Sequence, residues 1–166
     1  MILGLSVANF TLLHVVISLI AIVSGLVVLF GMLGSRRLPG WTALFLIATI
    51  LTSVTGFLFP IHGFTPALAV GAVSLVVLAV ALIALYGRHL AGAWRWIYVV
   101  TAVTALWFNV FVLIAQSFLK VPLLHALASN GDEPPFLIVQ GLTLAIFVVL
   151  GILATVKFRP GPSLPA

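Results

Sequence analysis

Apolar residues along this chain come in five long runs, and most of the polar residues collect between them. The runs cover about 10–33, 42–59, 66–86, 96–118 and 136–156. Each is near the ~20 residues that, at 1.5 Å of rise per residue, cross the ~30 Å hydrocarbon core of a bilayer. None alternates polar and apolar positions as a barrel strand does. Helices are then the structure that satisfies every backbone group in lipid. The pattern predicts an all-α polytopic membrane protein, a compact bundle of five transmembrane helices forming one domain over residues 1–166. The first run has no basic residue ahead of it and is longer than a signal-peptide core, so it reads as a retained span.

The connecting segments predict the orientation. Arg36 and Arg37 lie in the first loop, Arg88 and Arg95 in the third, and Lys157 and Arg159 in the tail. If the spans alternate in direction, these six basic residues share one side, and Lys120, Asp132 and Glu133 share the other. Positive charge collects on the cytoplasmic side, so the N-terminus is expected outside and the C-terminus inside. Trp41, Trp94 and Trp96 then sit at the inner interface, as an aromatic belt would place them. Such a composition resembles that of small bacterial inner-membrane proteins. The net charge of +5 is scattered over short loops without an aromatic-interleaved patch, which argues against nucleic acid as a partner.

Composition also limits the chemistry. The chain is 64% hydrophobic and holds only two acidic residues, both outside the runs, and no cysteine. Carboxylate proton relays, di-iron carboxylate sites, iron–sulfur clusters and thiol redox chemistry therefore lack their ligands. No run carries a lysine for a Schiff base, and no phosphate loop, HExxH motif or nucleophile elbow is present.

What remains is a layer of polar groups at one depth. His14 lies twenty residues before Gly34, and Gln116 twenty residues after Trp96, so both fall near the outer edge of the hydrocarbon. His62 follows the second run in the turn "FPIHGFTP", and Gln140 lies one turn into the fifth run. His14 and His62 form the one pair of imidazoles whose depth suits the axial ligands of a b-type haem, the only metal site the residues suggest. A His and a Gln in the same layer can instead hydrogen-bond a quinone headgroup. His14, His62, Gln116 and Gln140 are accordingly the candidate cofactor-binding residues.

His125, in the long loop "KVPLLHALASNGDEPP", is a candidate to fold over the same layer, with Pro122 starting a short interfacial helix. Asn109, nearer mid-membrane, is expected to make an interhelical hydrogen bond. Thr49, Thr52, Ser53 and Thr55 can bond back to their own helix. Small residues four apart at Ala21/Gly25, Ala67/Gly71 and Gly141/Ala145 predict close helix approaches. The leading functional expectation is a non-catalytic accessory or stabilising subunit that contacts lipid and either other membrane subunits or further copies of itself. The alternative is a haem b or quinone-binding electron-transfer protein with its site at the outer face.

Overall fold

A computed structural model describes residues 1–60, 63, 65–128 and 130–161. It is helical, with no strand among the described residues. The helices are α1 (Val7–Leu33), α2 (Pro39–Gly56), α3 (Pro66–Leu82, prolonged by a π-helical turn Ile83–Gly87), α4 (Trp94–Lys120), α5 (Pro122–His125) and α6 (Pro134–Lys157). All but the short α5 are long and apolar enough to cross a membrane.

The sequence explains where these helices begin. Pro39, Pro66, Pro122 and Pro134 each occupy a first helical position, where a missing N–H costs no hydrogen bond. Ser6 caps α1 by accepting from the Asn9 amide at 3.2 Å, and Thr65 caps α3 by accepting from the Leu68 amide. The expected second span, 42–59, is displaced toward the N-terminus. Pro39 starts it early, and it ends at Gly56, before Pro60. The short helix expected at Pro122 is present.

α4 is the central element and packs against α1, α3, α5 and α6, while α1 also packs along α2, and α2 against α3. The tightest packing lies at the end that carries the basic residues. There Val28, Leu29 and Met32 of α1 meet Phe45 and Leu46 of α2, Leu78 and Ala81 of α3, and Tyr98, Val99, Ala102, Ala105 and Leu106 of α4. Gly25 makes this possible. A Cβ added there would stand 2.5 Å from Leu106 Cδ1 and 2.8 Å from Phe45 Cε2, so α1 can meet both side chains only with a bare Cα.

Polar contacts join the loops at the same end. Arg95, in the first turn of α4, donates from Nη1 to the carbonyls of Thr155 (3.0 Å) and Phe158 (2.5 Å), which capping within α6 leaves open. The Arg159 amide donates to Ser35 Oγ at 2.9 Å, tying the chain after α6 to the α1–α2 loop. The Arg88 guanidinium lies 5.3 Å from the centre of the Trp94 ring. The three basic segments thus gather at one end, and Lys120, at the last residue of α4, lies at the other.

The small-residue pairs divide into three outcomes. Ala21 and Gly25 are buried at a helix crossing, and Gly71 meets only the Phe57 ring, at 3.3 Å from an added Cβ. Among the described residues Gly141 meets nothing within 4 Å, so its pairing with Ala145 makes no helix crossing within the bundle. Gly25→Leu should therefore lower unfolding stability by roughly 2 kcal/mol or more, through overpacking at a site with no room to relax. Gly141→Leu should stay within about 0.5 kcal/mol of the parent. Unfolding in detergent micelles measures both, and equal tolerance at the two glycines would refute the crossing.

Candidate functional site

Toward the end opposite the basic residues, the side chains on the facing sides of α1 to α4 become small or polar. They leave a cavity of about 410 Å³, within the range of roughly 300–1,000 Å³ typical of small-molecule sites. Ser18 of α1, Ser53 and Gly56 of α2, Gly71 and Ser74 of α3, and Asn109 of α4 are among its lining residues. His14, Gln116 and Lys120 line it nearer the helix ends, and Phe59, in the segment after α2, closes one side. The Phe59 ring stands edge-on to both Phe10 (5.0 Å between centroids) and His14 (5.3 Å).

The polar groups on and beside the walls differ in how they are satisfied. Asn109 is buried and its Nδ2 donates to Thr49 Oγ1 at 3.1 Å, fulfilling the interhelical bond expected of it and holding α4 to α2 at the cavity floor. Ser18 Oγ donates to the backbone carbonyl of His14 at 2.8 Å, so it pairs with the helix and not with the imidazole. Thr55 behaves as expected of a span hydroxyl, donating to the Leu51 carbonyl at 2.6 Å. Thr52 does not, since its Oγ1 is buried without a partner among the described residues. Ser74 Oγ shares that condition, on a residue only 3% exposed. A buried hydroxyl left unpaired costs about 1–3 kcal/mol, and both of these residues line the cavity.

His14 is held in place from both sides. Its Nδ1 lies 2.7 Å from Thr55 Oγ1, its ring meets Phe59, and its Cε1 would be 3.8 Å from a Cβ on Gly56.

Of the residues expected to form the site, the structure brings together His14 and Gln116, and adds Asn109, Ser74, Thr52 and Lys120. Gln140 does not line this cavity. Its Nε2 donates to the Phe111 carbonyl at 3.0 Å, linking α6 to α4, and its Oε1 is buried without a partner among the described residues. His62 lies outside the described residues. His125 is exposed on α5 and is absent from the cavity walls, so the expected lid is replaced at this point by Phe59 and Pro60. Ser74 went unnoticed in sequence because a lone serine in an apolar run usually bonds back to its own helix.

A second cavity of about 410 Å³ lies between α4 and α6, lined by Val103, Trp107, Phe147, Gly151 and other mostly apolar residues. Trp107 Nε1 is buried there without a partner among the described residues. No protein-family model, curated protein or solved structure matches the chain.

The Asn109–Thr49 bond should be worth about 1 kcal/mol, the usual scale for interhelical hydrogen bonds in lipid. Asn109→Leu should lower stability by roughly that amount, and combining it with Thr49→Val should recover part of the loss, since no buried hydroxyl is then stranded. A double-mutant cycle by unfolding in micelles measures the coupling, and strictly additive effects would refute the bond.

Proposed function

We propose that this chain is an integral membrane protein that holds a lipid-soluble ligand with a polar ring, of the quinone type, in the cavity between α1 and α4. The reading rests on one observation: Ser74 and Thr52, whose buried hydroxyls have no partner among the described residues, line the same cavity as His14 and Gln116. Apolar walls suit a ring and a prenyl-like tail, and the few polar groups suit the ring's oxygens.

The haem alternative draws less support. Six-coordinate haem needs two axial ligands, and the described walls supply one imidazole, His14; its expected partner His62 lies outside the described residues. A quinone-type ring needs only hydrogen-bond partners, which the walls supply on all four helices.

The accessory-subunit reading is retained as the context in which such a site works. α6 supports it: Leu137, Leu142, Ile146 and Ile152 are exposed along its length, and the groove with α4 is lined by Trp107, whose buried Nε1 has no hydrogen-bond partner among the described residues. A neighbouring subunit or a second copy of the chain would contact this face. We further propose that the end carrying Arg36, Arg37, Arg88, Arg95, Lys157 and Arg159 is cytoplasmic, in a bacterial inner membrane, which places the cavity at the outer face.

Two measurements test these proposals. Reporter fusions active only outside the cytoplasm should be active at residue 130 and silent at residue 160; the reverse pattern would invert the topology. A short-chain ubiquinone analogue, supplied in both redox states, should raise the melting temperature of the parent in micelles. Ligand at a hundredfold excess over Kd corresponds to about 2.7 kcal/mol of stabilisation. Gln116→Leu and Ser74→Val should reduce the shift, and no shift in the parent with either redox form would refute the quinone-type reading.

A further inference from the structure

The cavity's only described imidazole has its tautomer set by a neighbour that does not itself line the cavity. Thr55 Oγ1 stands 2.6 Å from the Leu51 carbonyl and 2.7 Å from His14 Nδ1. A hydroxyl has one proton. The carbonyl cannot donate, and two oxygens at 2.6 Å with no proton between them would set lone pair against lone pair. The hydroxyl proton therefore belongs to the Leu51 contact, a placement that its second, longer approach to the Thr52 carbonyl at 3.2 Å reinforces. The short contact to His14 is then closed by a proton on Nδ1. In the neutral ring the lone pair is consequently on Nε2, which makes no hydrogen bond to any described residue.

We propose that this site prefers the reduced, hydroxyl-bearing form of its ligand, a quinol over the corresponding quinone, because His14 Nε2 accepts a hydrogen bond that a quinol O–H can supply and a quinone carbonyl cannot. This inference rests on the quinone-type reading of the cavity and specifies its redox form. A carbonyl oxygen placed at Nε2 would oppose lone pair to lone pair, whereas a phenolic O–H would donate to it. The unpartnered hydroxyls of Ser74 and Thr52, together with Gln116, can each donate or accept and so discriminate little between the two forms. Lys120 can only donate, to a carbonyl or to a phenolic oxygen alike, so the discrimination rests on His14 Nε2 as an acceptor. Thr55 acts on the ligand only through it and is a positioning residue.

The experiment compares decylubiquinol, kept reduced under anaerobic conditions, with decylubiquinone, by titrating each against the parent protein in nanodiscs. The quinol should bind about tenfold more tightly, the scale of one hydrogen bond made or left unmade. Thr55→Val, which keeps the branched shape but removes the hydroxyl, should reduce the ratio to within about twofold while retaining binding. Nitrogen NMR of the parent, with His14 assigned by difference against His14→Asn, should find the proton on Nδ1.

Equal or stronger binding of the quinone by the parent would overturn the redox preference and leave the quinone-type reading standing. Binding of neither form would overturn both. A ratio undiminished in Thr55→Val, or a neutral His14 carrying its proton on Nε2, would overturn the tautomer mechanism whatever the ligand affinities.

Discussion

The close approach at Gly25 governs the rest of the structure. In lipid the hydrophobic effect does not press one helix on another, because acyl chains are as apolar as leucine, so shape decides which helices meet. A single bare Cα lets α1 receive Phe45 from α2 and Leu106 from α4 at one level. That crossing brings α2 and α4 to the same side of α1, and the large side chains stacked beyond it, from Leu29 to Tyr98 and Phe158, fill the space toward the basic end. Arg95 then fastens α6 through two carbonyls that helix geometry would otherwise leave open.

The same use of small residues has the opposite result at the other end. There Ser18, Ser53, Gly56, Gly71 and Ser74 line a cavity, with the Phe57 ring lying against Gly71. What fills part of the space is the His14 imidazole, fixed by Thr55 and the Phe59 ring. One half of the molecule is thus packed apolar core and the other a cavity with hydroxyl, amide and imidazole groups on its walls. The Asn109–Thr49 bond lies at the boundary between them. The division suits a protein whose rigid half holds the helices in register while its polar half receives a ligand.

Run length, proline positions and charge placement made the five spans readable, because each depends on local physics: helix rise, the missing proline amide and the clustering of arginines. Counting along the helices also put His14, Gln116 and Asn109 within reach of one another, and the three line one cavity. It could not distinguish faces around a helix that is apolar on every side. Gln140 shares the depth of Gln116 but bonds to the Phe111 carbonyl instead of facing the cavity. Nor could spacing reveal that Thr55 faces His14 across 41 residues of chain, or that Ser74, alone among apolar neighbours, would be buried without a partner among the described residues. Gly25 and Gly141 look alike in sequence, and only the neighbouring helix tells them apart.

The central claim is that the cavity between α1 and α4 is a ligand site and the groove between α4 and α6 is not that site. Photolabelling with an azido-substituted ubiquinone analogue in native membranes tests it most directly, since the reactive ring marks the residues beside it. The account predicts adducts on peptides containing His14, Thr52 to Phe59, Ser74 and Asn109 to Gln116, suppressed by excess unlabelled ligand. Adducts on the α6 face around Phe147 and Ile152, or labelling that excess ligand does not suppress, would contradict it.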